Sequence, residues 1–194
     1  MSVISLEDAR DVESVAVWSG AKRCVLSFGV GMTQISRKEP RIREAAARGL
    51  RIHMVMVDPD WILSSRAVSA MFDNYYSQVN FGQRFRDAHS RLSTIALDLN
   101  DRFGEERMRV HTYQSVVTQS ATIADPGNDW AFGFLELHAY GRYTDRTRTR
   151  LPGPDGRDLL LAQRLRAISN LAGYDFTSDK PDDVWPSPSF AFAP

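Results

Sequence analysis

The sequence predicts an α/β fold: a mixed central sheet of about five to seven strands with helices on both faces. Three observations predict it. An apolar run, a helical segment and a second apolar run occupy residues 23–57. That is the length and order of a βαβ unit, whose parallel strands require a crossover helix. A long amphipathic stripe follows at 85–103, and three strand-like runs come after it.

The elements follow in chain order. Ser5 with Asp8 forms a capping-box-like start, and Val12, Val15, Ala16 and Trp18 recur at helical spacing before Gly20. Arg23–Phe28 is a buried strand broken by Gly29 and Gly31. Pro40–Arg48 is a short helix with Pro in its first turn and Gly49 as its stop. Arg51–Val57 is a second buried strand, ended by the turn Asp58-Pro59-Asp60. A weakly periodic helix spans Ser64–Tyr76. Phe85, Ala88, Leu92, Ile95, Ala96, Leu99 and Phe103 make the clear stripe, closed by Gly104. Arg107–Tyr113, Val116–Ala124 and Trp130–Tyr140 read as strands, the last two joined by the turn residues Asp125-Pro126-Gly127-Asn128. Asp158–Leu171 is a final helix ending at Gly173. One domain over residues 1–175 and a Pro- and aromatic-rich tail over 176–194 are expected.

Twenty-four basic and 24 acidic residues cancel, so the chain lacks the overall basic excess that marks nucleic-acid binding. No apolar stretch approaches the roughly 20 residues needed to cross a bilayer. Nothing at the start resembles a basic and apolar leader. A soluble, cytoplasmic protein is expected, without membrane or nucleic-acid partners. The lone Cys24 excludes an internal disulfide and a multi-cysteine metal site. No His or acidic spacing suits a metal, so neither metal nor cofactor is expected.

Within the strand region the chain reads Thr118-Gln-Ser120-Ala-Thr-Ile-Ala-Asp125. Together with Arg48-Gly49, the strand that follows it and Asp58-Pro59, and with Val110-His111-Thr112-Tyr113 after the long helix, this passage resembles the phospholipase D-like superfamily. The resemblance covers roughly residues 10–145. Thr118 stands where the family has its nucleophilic His, and Ser120 where it has its phosphate-binding Lys. Asp125 keeps the family's Asp. The resemblance implies a phospholipase D-like sandwich, commonly paired about a two-fold axis, hence a homodimer. In active members one His attacks phosphorus, a second protonates the leaving oxygen, and lysines stabilise the phosphoryl charge. Neutral hydroxyls at 118 and 120 cannot take those roles. Gly133-Phe134 followed by Glu136 also departs from the family's downstream pattern. Phosphodiesterase chemistry is therefore not expected.

Strand alternation sets Thr118, Ser120 and Thr122 on one side, either as a small polar pocket or as an ordinary solvated face. Glu136, His138 and Tyr140 alternate likewise, and a carboxylate, an imidazole and a phenol together can run acid–base chemistry. His111 shares a face with Tyr113 and could pair with His138. The bland alternative is a partly buried His satisfied by a neighbour. His53 reads as structural and His89 as a surface residue. Gly29 opens a turn at a strand's carboxyl end, where α/β sheets take ligands, though neither a dinucleotide fingerprint nor a P-loop is present. Asp58 and Trp61 end the next strand and join the candidate pocket. Arg142, Arg146, Arg148 and Arg150, with Tyr140 and Tyr143 interleaved, are candidate phosphate or nucleic-acid contacts, weighed against a solvated, salt-bridged loop.

Two functions are thus expected. The first is a non-catalytic domain binding or sensing a small polar ligand, phosphorylated or nucleotide-like, in the relic cleft. The alternative is a repurposed enzyme using His138 with Glu136 and Tyr140 on a small substrate. Partner binding through the tail is a third possibility.

Overall fold

The computed structural model describes residues 14–76, 81–115, 119–126, 128, 131–138, 146–151 and 159–176. Six strands form one mixed sheet: β1 (Cys24–Phe28), β2 (Arg51–Val57), β3 (Met108–Tyr113), β4 (Gln119–Ala124), β5 (Phe132–His138) and β6 (Arg146–Leu151). Their order is β3-β2-β1-β4-β5-β6. β1, β2 and β3 run parallel; β4 lies antiparallel on the other side of β1, and β5 and β6 continue antiparallel. The chain therefore winds away from β1 in one direction, then returns to build on its other side.

The helices are α1 (described over 14–20), α2 (Glu39–Ala47), α3 (Pro59–Ser64), α4 (Arg66–Tyr76), α5 (Phe81–Phe103) and α6 (Leu159–Ala172). Alternate strand residues fall into two buried clusters, as the two-residue period of a strand demands. On one face Val25, Ile52, Met54 and Ala124 pack with Trp18 of α1, Ile42 of α2 and Leu92, Ile95 and Leu99 of α5. On the other, Leu26, Val55, Ile123 and Leu135 pack with Ile62, Phe72, Leu165 and Ile168, from α3, α4 and α6. Helices cover both faces, as the apolar stripes predict. Gly49 and Gly104 stop α2 and α5 with φ of 89° and 66°, a left-handed conformation that needs no Cβ.

Three elements differ from the sequence expectation. The turn at Asp58-Pro59-Asp60 is instead the start of α3: Asp58 accepts hydrogen bonds from the Asp60 and Trp61 amides, and Pro59 occupies the first turn. An N-cap carboxylate followed by Pro is a helix start as much as a turn. The arginines at 146, 148 and 150 lie in strand β6, paired with β5, and not in a loop. Alternating Arg and Thr hides the apolar period that marks a buried strand, because β6 is bound on only one edge within the described sheet. α5 also begins one turn earlier, at Phe81, whose ring sits edge-on to Phe85 with centroids 4.9 Å apart.

Among the described residues no helix is long and apolar enough to cross a membrane.

Candidate functional site

The winding direction reverses between β1 and β4, so the carboxyl end of β1 and the start of β4 form a topological switch point. Open α/β sheets bind ligands at that position. Antiparallel register sets Phe28 opposite Ala121, which brings Gly29 beside Ser120; a Cβ on Gly29 would lie 3.1 Å from that of Ser120. Ser120 pairs across the next ladder with Glu136, and its hydroxyl donates to Glu136 Oε2 at 3.2 Å. Ser27 and Thr122 are opposite each other on β1 and β4, with their hydroxyl oxygens 3.5 Å apart. Met32, in the left-handed region with φ of 49°, lies over this group, its Sδ 3.8 Å from the Ser27 hydroxyl. Ser27, Thr122 and Glu136 are buried, Glu136 being only 8% exposed.

Three hydroxyls and a carboxylate thus share one sheet face at the switch point. In the sequence Ser120 belongs to the relic cleft and Glu136 to a separate acid–base group, and Ser27 carries no expected role. A single hydroxyl inside the apolar run Cys24-Val-Leu-Ser-Phe was the available signal. The ladder from β5 to β6 then sets Arg148 across from Glu136, Arg146 from His138 and Arg150 from Phe134.

The other expected site residues divide sharply. Asp125 lies at the far end of β4, where register pairs Ala124 with Val25 at the start of β1. It is fully buried, and its carboxylate accepts from the amides of Lys22 (2.9 Å), Arg23 (2.7 Å) and Cys24 (2.9 Å). Five residues of strand, about 16 Å, separate it from Ser120. It clamps the entry of β1, and it does not line the switch-point cluster. Asp58 caps α3 and accepts from Gln114 Nε2 at 3.0 Å. Trp61 packs edge-on against Phe72 on the opposite face from Glu136. Both lie near the same sheet edge as Gly29, but neither touches the hydroxyl cluster in the described contacts.

His111 cannot pair with His138. Their strands, β3 and β5, are separated by three others, a span of about 19 Å at the usual inter-strand spacing. His111 instead meets His53, two residues from its register partner Val55 on the parallel strand β2, with Nδ1 of His53 3.2 Å from Nε2 of His111. Both rings are buried beneath Tyr174 and Phe176, at the end of α6. Burial lowers the His111 pKa to about 4, helped by the Arg109 charge, and burial also drives that of His53 well below the usual range. The pair is therefore neutral at physiological pH. His53 lies mid-strand in β2 and is buried.

His138 ends β5 two residues beyond Glu136. Its side chain, like Thr118, Tyr140 and Arg142, lies outside the described residues. Cys24 has its thiol pKa pushed far up by burial, which leaves it unsuited to act as a nucleophile. Among the described residues no three His, Cys, Asp or Glu side chains gather as a metal site would need.

No family model matches the chain, and no curated protein matches it. Among solved structures it is similar to TrmBL2, an archaeal chromatin protein described as showing a novel mode of DNA binding. The similarity has a TM-score of 0.49 at 12% identity and covers 82% of this chain and 46% of that one. The chain thus spans less than half the length of that protein.

Proposed function

We propose that this chain is a non-catalytic α/β domain that binds a small polar ligand at the switch point, and that the ligand is phosphorylated or nucleotide-like. The observation that carries the reading is the buried Glu136 carboxylate held by the Ser120 hydroxyl, beside Ser27 and Thr122, at the sheet edge where such folds take ligands. Hydroxyls and a carboxylate recognise the hydroxyl groups of a sugar ring. The β5–β6 ladder sets the Arg148 backbone in register with Glu136, and a phosphate requires a cationic partner of that type. Gly29 lets the β1 backbone lie close beside Ser120, where an added Cβ would press on the Ser120 Cβ at 3.1 Å.

The corresponding scaffold is a phospholipase D-like sandwich whose motif has lost its attacking imidazole and its cationic helper. The Ser120 hydroxyl supplies neither the attacking imidazole nor the phosphate-binding cation of that motif, and its bond to Glu136 holds the carboxylate in place.

Thermal melts with a panel of nucleotides and sugar phosphates test this. A ligand at 100 times its Kd adds about 2.7 kcal/mol, or roughly 5–10 °C for a chain of this size. Glu136→Gln and Ser120→Ala should keep the fold and lose the shift. A panel without any shift, or an equal shift in both variants, rejects the site. Ordinary phosphodiester turnover by the wild type rejects the non-catalytic reading.

A further inference from the structure

We propose that His53 and His111 form an acid-released latch that fastens the end of α6 to the sheet. The geometry is specific. Two imidazoles from adjacent parallel strands share one hydrogen bond. They form the floor on which Tyr174 and Phe176 rest, with ring centroids 5.1–5.5 Å away in four separate contacts. Tyr174 and Phe176 are themselves 4.8 Å apart, and both are tied back to α6: the Tyr174 amide donates to the Ser169 carbonyl, and the Phe176 amide donates to the Ser169 hydroxyl. The terminus therefore moves as a unit or not at all.

The neighbourhood disfavours added positive charge. Arg109 on β3 acts on both rings and Arg51 on β2 acts on His53, and Arg109 is held by Glu106 at 2.7 Å. Cys24 on β1 is half-buried, and its thiol, with its pKa pushed far up, is uncharged. Tyr174 is uncharged too, its phenol pKa raised mainly by burial. On the α6 side, Arg166 and Asp175 are exposed. A proton entering the pair thus meets two arginines and an aromatic lid, with the Glu106 carboxylate already paired to one of them. The cheapest relief is to lift the lid and let water reach the imidazolium.

This places a proton-responsive element on the face opposite the switch-point cluster, and it holds whether or not that cluster binds a ligand. The readout is hydrogen exchange by mass spectrometry from pH 7 to pH 4.5, corrected for intrinsic exchange rates. Protection of peptides covering 165–176 should fall at least tenfold while peptides from β1 and β2 keep theirs. His53→Asn with His111→Gln should abolish the step. Protection that stays constant in the wild type, that falls equally in β1 and β2, or that steps unchanged in the double variant overturns the latch. If the double variant does not fold by circular dichroism, Tyr174→Ala decides: the segment should exchange freely at both pH values with β2 still protected. Wild-type protection and a wild-type step in that variant reject the proposal.

Discussion

Replacing Asp125 by Ala removes one carboxylate that satisfies three backbone donors a hundred residues away in sequence. Each is a charge-assisted bond of normal length, 2.7–2.9 Å, and such bonds contribute about 1.5–3 kcal/mol each when buried. The full sum is not expected, because Lys22 and Arg23 lie at the surface and water can reach their amides. Cys24 is half-buried and recovers less. A second cost comes from the backbone: Asp125 has φ of 50°, which Asp and Asn tolerate far better than Ala. Together these give a loss of about 4 kcal/mol for Asp125→Ala. Asp125→Asn keeps the left-handed residue and one acceptor oxygen, and should lose about 1–2 kcal/mol. Urea unfolding followed by circular dichroism measures both from the shift in midpoint. An Asp125→Ala variant that unfolds within about 1.5 kcal/mol of wild type, the least that one such bond contributes, refutes the clamp. A residue that served ligand binding instead would leave the midpoint in place and abolish the thermal shift.

Acid should destabilise the fold through the histidine pair. His111 titrates near 4 in the folded protein against 6.5 in the unfolded chain. Between those values the unfolded state holds a proton that the folded state refuses, so stability is intact above pH 6.5 and falls as the pH drops toward 4. At 1.36 kcal/mol per unit the loss is roughly 3 kcal/mol, read from urea midpoints across pH. His111→Gln should remove that part of the slope and leave the part due to His53, whose pKa burial also lowers; an unchanged slope contradicts the assignment. Gly133→Ala should prevent folding or cost several kcal/mol, because the new Cβ would overlap the Thr122 carbonyl oxygen and lie 2.9 Å from the Ile123 Cα across the β4–β5 ladder. A soluble variant with wild-type melting would show that the two strands sit further apart than the register requires.

Much of the fold was legible because it rests on local periodicity. The two apolar runs around α2, the seven-residue stripe of α5 and the glycines after α2, α5 and α6 each constrain their own segment, whatever lies beside it. β6 was not legible, since a Thr-Arg strand at the border of the sheet carries no apolar alternation. Asp58-Pro59 was ambiguous, since the same two residues open a turn or cap a helix, and only packing of Ile62 of α3 into the core selects the helix.

The site was less legible than the fold for a related reason. Alternation alone established that Ser120 and Thr122 share a side, and likewise Glu136 and His138. Sequence spacing cannot say which strand lies next to which. Strand order brought Ser120 to Glu136 and His111 to His53, and it carried Asp125 to the other end of the sheet from the hydroxyls with which it had been grouped. A strand's own residues fix its faces, because the side-chain period is two. Neighbours and ends are fixed by pairing between distant segments, a property that no single segment contains.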